Sequence, residues 1–404
     1  MVTANPISEN TACSARSGAG LLVLLVGIPS DQLESVLANL ASCFPMKELI
    51  VASHDAISDA LPAFSHRSIR FVTTPATNAS WTLTADDFVN AWQLAEKHDA
   101  HAILMLGPGS GTLHASALSG LADSVITTQT DLAVAYYDLP PHTGLVNSAI
   151  LYPLTRALFD SRVRFPLAVD LGLSPRMAER MAGAARRFTQ SNLGETPLWP
   201  LNEAAVARFN VDQFDVGSPH QTQSAGPDLN TILPLVTGAL FSDIEAKAAF
   251  WQRFRSLPLE SDDIFNRNAQ EPLGDAAAEI APMLQAFRLA HTNLQEVWSL
   301  VLPPHSLLGL KRLAAAEAAT FCMPDSLWAR IVYDFLLAYR LRTINRGHLL
   351  GALIPLYLGW AASHINITAS GVNAESHIEA VATAFENEKT YLVSRWRWPD
   401  RFNP

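Results

Sequence analysis

Apolar runs that alternate with helix-like segments are the feature that most limits the folds open to this chain. The run Leu21–Ile28 is apolar throughout, which is typical of a parallel strand buried on both faces, and Asp31–Leu40 follows it with helical spacing. A helix is also predicted over Thr84–His98, with Thr84 as its capping residue. The further predicted strands are residues 48–52, 69–72, 101–106 and 132–137. Strands separated by helical segments of this length indicate an α/β fold with a mostly parallel sheet flanked by helices.

The pattern changes at about residue 229, after which the apolar spacing is helical. The predicted helical segments are residues 229–241, 246–254, 276–302, 326–341 and 374–391. The apolar stretch Leu349–Ala362 is interrupted by Pro355, which favours a buried helix over a membrane span. We therefore expect three parts: a disordered leader of residues 1–19, an α/β domain of residues 20–228, and a helical C-terminal extension of residues 229–404.

Composition excludes several classes of partner. The chain carries 28 Lys+Arg against 38 Asp+Glu, and its formal net charge of −10 disfavours binding to nucleic acid or to an anionic membrane. Its three cysteines, Cys13, Cys43 and Cys322, are far apart and show no paired spacing. We interpret them as reduced thiols of a cytoplasmic protein. The first apolar run is too short to span a bilayer, which takes about 20 residues.

The turns after the strands that end at Ile28, Ala52 and Leu106 are where function is expected, because ligands of parallel sheets bind beyond the carboxyl ends of the strands. The turn after Leu106 contains three glycines within Gly107–Gly111, like a phosphate-binding loop. It lacks the lysine that ends such loops, and Pro108 removes one backbone N–H donor. An ordinary tight turn is the favoured interpretation.

Several stretches, in order along the chain, carry a resemblance to a known family. They are VGIPS at 26–30, SAILYPLTRALF at 148–159, RVRFP at 162–166, DLGLS at 170–174, WARIVYDF at 328–335, LIPLYLG at 353–359 and the segment 385–404. Together they resemble bacterial GT-A-fold glycosyltransferases related to the glucosylglycerate and glucosyl-3-phosphoglycerate synthases. The resemblance covers roughly residues 21 to 404.

The resemblance implies transfer of a hexosyl unit from a nucleotide diphosphate sugar to a small hydroxylated acceptor such as glycerate. It also implies Mg²⁺ or Mn²⁺, held by an Asp-x-Asp motif after a sheet strand, to neutralise the departing diphosphate. The matching turn here reads Gly107-Pro108-Gly109, so both carboxylates are replaced. By position in the family pattern, the residues expected at the nucleotide are Pro29, Ser30, Asp55, Gly107 and Gly109.

Four further residues are candidates for chemistry. Asp170 stands at an acidic position of the family, where it would orient the acceptor or stabilise the reacting centre; alternatively it caps the helix predicted after Ser174. Arg156 and Arg164 are candidates to bind a phosphate or carboxylate, and the alternative is a buried salt bridge. His220 matches the family's metal-binding histidine, and the alternative is an ordinary loop residue.

Two functions follow from these residues. In the first, the chain transfers a hexosyl unit, with arginines and helix termini supplying the positive charge that the metal would otherwise provide. In the second, the chain is a catalytically inactive homologue that acts as a binding or scaffold partner for a sugar, a nucleotide or an active paralogue. A homodimer formed through the helical region is a further candidate assembly.

Overall fold

The fold is described from a computed structural model. It covers residues 20–28, 30–44, 49–54, 69–75, 81–127, 129–191, 194–218, 228–253 and 276–399. The predicted leader of residues 1–19 lies outside the described residues. So do Pro29, Asp55 and His220.

One seven-stranded sheet organises the first half of the chain. Its strands are β1 (Leu21–Leu25), β2 (Leu49–His54), β3 (Ile69–Thr74), β4 (Ala102–Leu106), β5 (Leu132–Tyr137), β6 (Leu171–Leu173) and β7 (Val211–Gly217). Their order across the sheet is β3-β2-β1-β4-β6-β5-β7, and β6 alone runs antiparallel to its neighbours β4 and β5. Strand β1 lies between β2 and β4, so the order reverses at β1 and β4. A reversal of this kind opens a crevice at the carboxyl ends of the two strands.

Helices cover both faces of this sheet. They are α1 (Ser30–Cys43), α2 (Ala85–His98), α3 (Ala115–Thr127), α4 (Tyr152–Phe159), α5 (Pro175–Thr189) and α6 (Pro200–Ala207). Helices α1 and α3 share one core with the side chains of Leu21 and Val23, whereas α2, α5 and α6 share another with Leu22 and Leu24. Because successive side chains of β1 enter opposite cores, this strand must be apolar at every position.

The C-terminal half is helical. Its helices are α7 (Leu229–Ala246), α8 (Ala248–Trp251), α9 (Ala276–Asn293), α10 (Gln295–Ser299), α11 (Pro304–Ala314), α12 (Asp325–Leu341), α13 (Arg346–Ala369) and α14 (Ala374–Arg397). Helix α13 is long and apolar enough to cross a membrane, but 67% of its most apolar window is buried inside the protein. It packs against α9 and α7 as a core helix, in agreement with the prediction for residues 349–362.

One segment of the sheet region packs into the core of the helical region. Helix α4 and the π-helical turn before it, Asn147–Leu151, pack into the same apolar cluster as α7, α9, α12 and α13. The indole N–H of Trp328 on α12 donates to the carbonyl of Ala149 in that turn, at 2.8 Å. The segment that resembles the family at residues 148–159 is therefore the joint between the sheet and the helical region. The division at residue 228 stays a prediction.

The predicted fold class, a mostly parallel α/β sheet with flanking helices and a helical C-terminal region, is confirmed. Thr84 caps α2 through a reciprocal capping box with Asp87, as the sequence predicted. Strands β6 and β7 were not predicted. In the helical region, Trp396 of α14 packs edge-on against Trp251 of α8, with ring centroids 5.0 Å apart.

Candidate functional site

The turn after β4 lies where the strand order reverses, beside the end of β1. The backbone N–H of Val26 donates to the carbonyl of Leu106 at 2.8 Å, which holds the two strand ends together. Gly109 has φ of +92°, a left-handed conformation that glycine adopts without a steric penalty. A single 3₁₀ turn, Ser110–Thr112, then leads towards α3.

Helix α1 fixes this turn from one side. The Gln32 side chain accepts a hydrogen bond from the N–H of Gly109 at 3.2 Å, and Asn39 donates to the carbonyl of Gly111 at 2.9 Å. A Cβ at Gly111 would come within 2.3 Å of Ser35 Oγ, so helix and turn are in close contact. This geometry agrees with the interpretation of residues 107–111 as a tight turn. Two backbone groups of the turn, the N–H of Gly109 and the carbonyl of Gly111, are hydrogen-bonded to side chains of α1.

Asp170 closes the turn from the other side. Its side chain is 2% exposed, and its two oxygens accept hydrogen bonds from the N–H of Gly107 at 3.0 Å and from the hydroxyl of Tyr137 at 2.7 Å. Burial raises the pKa of Asp170 to about 6, although both hydrogen bonds act to lower it. Asp170 is thus a buried carboxyl group that is costly to ionise, and its two hydrogen bonds connect the end of β4 to β5.

The alternative that Asp170 caps the following helix is wrong. Ser174 is the N-cap of α5, and its hydroxyl accepts from the N–H of Met177 at 3.2 Å. Asp170 lies four residues upstream, immediately before β6, so its side chain faces the β4 turn instead of the helix.

Val169 fills the space beside Gly107. A Cβ placed on Gly107 would lie 2.5 Å from Val169 Cγ2 and 2.8 Å from Val169 Cβ, well inside van der Waals contact. The turn therefore has no room for any side chain at position 107, and an aspartate there is excluded while Val169 holds its place.

The two candidate arginines lie together, at the joint with the helical region. Arg156 on α4 pairs with Glu379 and with Glu386, the latter at 3.0 Å, and it also donates to the hydroxyl of Tyr152. Both carboxylates belong to α14. The arginine side chain is buried, so the ion pair is a substantial part of the contact between α4 and α14.

Arg164 makes a similar contact in the first turn of α14. Its Nε and Nη2 donate to the two oxygens of Glu375 at 2.9 and 3.1 Å, and Nη2 also donates to the hydroxyl of Ser148 at 2.9 Å. Its third nitrogen, Nη1, is buried without a hydrogen-bond partner within the described part of the chain. The guanidinium also lies 5.3 Å from the ring centre of Tyr152. For both arginines the structure shows the salt-bridge alternative, and an anion-binding role stays a prediction.

The candidate residues thus form two groups. Gly107, Gly109 and Asp170 meet at the β4 turn, and Ser30 begins α1 beside the end of β1. Arg156 and Arg164 meet at α14 instead. Pro29, Asp55 and His220 lie outside the described residues, so their predicted roles at the nucleotide and the metal stay predictions.

The described residues do not fit the divalent ion that the family resemblance implies. Among them, no three histidine, cysteine, aspartate or glutamate side chains are grouped so that they could hold a metal ion. The one carboxylate at the turn, Asp170, already binds Gly107 and Tyr137. Enzymes that bind diphosphates usually hold Mg²⁺ or Mn²⁺ with carboxylates, and the described part of this turn offers no second one.

Sequence reasoning missed the residues that complete both groups. Tyr137 and Val169 gave no signal, since one ends an apolar strand and the other is an ordinary loop valine. The glutamates of α14 offered a weak one: Glu375, Glu379 and Glu386 recur at helical spacing, as expected for an acidic stripe on one face. Their partners could not be named, because Arg164 and Glu375 are 211 residues apart in the chain.

Comparisons with known proteins add little to this geometry. No model of a known protein family matches the chain, and no curated protein matches it. Among solved structures, it is similar to glucosyl-3-phosphoglycerate synthase from Mycobacterium tuberculosis in complex with phosphoglyceric acid, at 16% identity over 56% of this chain and 80% of that one, with a TM-score of 0.36. The same enzyme with Mn²⁺ and uridine-diphosphate-glucose matches at 17% identity over 56% and 79%, with a TM-score of 0.37. Likenesses this distant carry no conclusion about activity.

Proposed function

We propose that this chain is a catalytically inactive relative of the nucleotide-sugar glycosyltransferases that acts as a binding or scaffold protein. The family resemblance of residues 26–30 and 148–174 and the mostly parallel sheet support the relationship. The state of the β4 turn supports the loss of sugar transfer. Fold alone does not establish function, so the weight of the proposal lies on that turn.

One observation carries the proposal: the position of the metal motif is closed. Gly107 supplies no ligand, Val169 occupies the space that a side chain at 107 would need, and Asp170 is engaged by Gly107 and Tyr137. A departing diphosphate develops negative charge that must be neutralised in the transition state. Nothing in the described part of this turn supplies positive charge.

The arginines do not replace the metal in this arrangement. Arg156 and Arg164 together face three carboxylates of α14, namely Glu375, Glu379 and Glu386. The cluster therefore carries one more negative than positive charge before any ligand arrives. Binding a phosphate here would require these ion pairs to break and would bring its negative charge next to the three carboxylates.

The test is nucleotide binding and turnover by the purified full-length chain. Thermal unfolding is followed with uridine and guanosine diphosphates, each with and without Mn²⁺. In parallel, release of the nucleoside diphosphate from the matching glucose nucleotides is measured with glycerate as acceptor. A ligand at a hundred times its Kd stabilises the folded state by about 2.7 kcal/mol, which such a scan detects. We expect no Mn²⁺-dependent stabilisation and no release of nucleoside diphosphate. A rise in melting temperature that requires both nucleotide and Mn²⁺ would overturn the proposal.

A second candidate function is metal-independent hexosyl transfer to a small hydroxylated acceptor, and the pKa of Asp170 favours it. Burial raises the pKa of Asp170 to about 6, which suits a general base, and its oxygens would have to leave Gly107 and Tyr137 to reach an acceptor hydroxyl. Under this alternative, turnover with glycerate as acceptor persists in a chelator and is lost in Asp170→Asn. If the wild-type chain shows no turnover either with or without the chelator, this candidate is eliminated and the binding function remains.

A further inference from the structure

A cavity of about 530 Å³ lies between helices α5 and α7, away from the β4 turn. Residues 196–199 form a third wall, and Tyr339 and Leu350 of the helical region contribute to its lining. No residue of the turn Gly107–Leu113 lines it. Pockets of 300 to 1,000 Å³ are typical of sites for small molecules, so this cavity is large enough for one.

The lining is mainly apolar and its inner part is well packed. Met181, Leu198, Trp199 and Leu350 are all 6% exposed or less. At the mouth, Leu235 is 42% exposed, which is unusual for a large apolar side chain. The surface thus passes from an exposed apolar rim to a buried apolar interior, as expected for a molecule that enters with an apolar body.

The charges at one end of the cavity are already neutralised within the protein. Glu203 on α6 forms salt bridges with Arg180 at 2.8 Å and with Lys247 at 2.9 Å, and Lys247 also pairs with Asp243 of α7. Asn202 donates to the second oxygen of Asp243 at 2.8 Å. At this end an anionic ligand would meet two carboxylates and a cationic ligand would compete with Lys247, while the remaining charged residue of the lining, Arg187 on α5, is exposed. An uncharged ligand avoids both costs.

A hydrogen-bond donor remains on the cavity wall. The hydroxyls of Ser242 and Tyr339 both belong to residues of the lining and lie 2.9 Å apart. Each hydroxyl carries one proton and only one is used between them, so the other can be donated to an acceptor oxygen of a ligand.

We propose that this cavity binds a small, uncharged, largely apolar molecule that carries a hydrogen-bond acceptor. The apolar body fills the space between α5 and α7, and its acceptor oxygen takes the free proton of the Ser242–Tyr339 pair. This site is independent of the proposed function, because it shares no residue with the β4 turn.

The probe for this site is Nile red, an uncharged polarity-sensitive dye with a carbonyl acceptor, titrated into the full-length chain. Ala239→Phe from α7 and Ala184→Phe from α5 fill the cavity from opposite walls. Ala249→Phe is the matched control, since Ala249 is exposed on α8 and lies outside the cavity lining. We expect one dye per chain in wild type and in the control, and at least tenfold weaker binding in either filled variant.

Two further measurements define the ligand class. The double variant Ser242→Ala, Tyr339→Phe removes both hydroxyls of the pair but keeps the aromatic body of Tyr339, and loss of one hydrogen bond should weaken dye binding about fivefold. The anionic dye anilinonaphthalene sulfonate should bind much more weakly than Nile red. Unchanged Nile red binding in a folded filled variant, or equal binding of the anionic dye at the same site, would overturn the proposal. If one filled variant fails to fold, the other still decides it.

Discussion

Substituting Gly107 by alanine tests whether the β4 turn is closed by packing. The added Cβ would lie 2.5 Å from Val169 Cγ2 and 2.8 Å from Val169 Cβ. The backbone at Gly107 is not in the left-handed region, unlike that at Gly109, so alanine meets no conformational penalty of its own. Any loss of stability must therefore come from the contact with Val169.

The expected loss is about 1–2 kcal/mol of the free energy of unfolding. Forcing an extra carbon into a packed interior typically costs about 1–3 kcal/mol. Replacing glycine by alanine returns about 0.4–1 kcal/mol, because the unfolded chain loses conformational freedom. A charged aspartate at the same place would add the cost of burying its carboxylate, so a single substitution cannot restore the metal motif.

Urea unfolding followed by circular dichroism measures the effect, with Val169→Gly as the second arm of a double-mutant cycle. Removing the valine side chain relieves the clash, so we expect a favourable coupling of about 1–2 kcal/mol between the two substitutions. The matched control is Gly183→Ala on α5, where a Cβ meets nothing within 4 Å and should stabilise the helix by about 0.5–1 kcal/mol. A Gly107→Ala variant as stable as wild type, or a coupling near zero, would refute the closure.

Three other predictions concern buried charges. Arg156→Met should lower the free energy of unfolding by about 2–4 kcal/mol, because it leaves the carboxylate of Glu386 partly buried and unpaired by this arginine. The exposed control Arg186→Met on α5 should change it by less than about 0.5 kcal/mol, and equal effects in urea unfolding would contradict the ion-pair account. Burial raises the pKa of Asp170 to about 6, so the folded state binds more protons than the unfolded state between about pH 4 and 6. The stability of wild type relative to Asp170→Asn should therefore fall by up to roughly 3 kcal/mol as the pH rises through that window. His364 behaves in the opposite sense: burial lowers its pKa to about 3, so wild type should lose about 1.4 kcal/mol per pH unit relative to His364→Leu as the pH falls below about 6.5. If the difference in free energy of unfolding between wild type and either variant does not change between pH 4.5 and 7, the argument for that residue is disproved.

Strands β1 to β5 were predictable from the sequence because each carries a local signal. Strand β5 spans residues 132–137 as predicted, and β1 and β4 begin within a residue of their predicted starts. These segments are apolar at successive positions, since both faces of the sheet are covered by helices. For this part of the chain, the hydrophobic pattern of the sequence is sufficient to predict the strands.

Strands β6 and β7 could not be predicted, for physical reasons. Strand β6 has three residues centred on Gly172, where a Cβ would come within 2.4 Å of the carbonyl oxygen of Leu121. Glycine is required there by close packing against α3, although it weakens any strand pattern. Strand β7 is an edge strand that contains Asp212 and Asp215, so its composition is closer to that of a loop.

The candidate site was predictable residue by residue but not as an arrangement. The family pattern identified Asp170, Arg156 and Arg164 as the charged residues of interest, and each is buried in an organised contact. Their partners depend on tertiary structure: Tyr137 is 33 residues from Asp170, and the glutamates of α14 are more than 200 residues from the arginines. Local sequence carries no information about contacts over such separations.

The most direct test of the central claim, that the β4 turn has no place for a metal-bound diphosphate, is calorimetric titration of uridine diphosphate into the chain with and without Mn²⁺. A bridging metal contributes several kcal/mol in sites that use one, so its participation would tighten binding by tenfold or more. We predict the same affinity, or the same absence of binding, in both titrations. Binding that is at least tenfold tighter with Mn²⁺ and reverts with a chelator would contradict the claim.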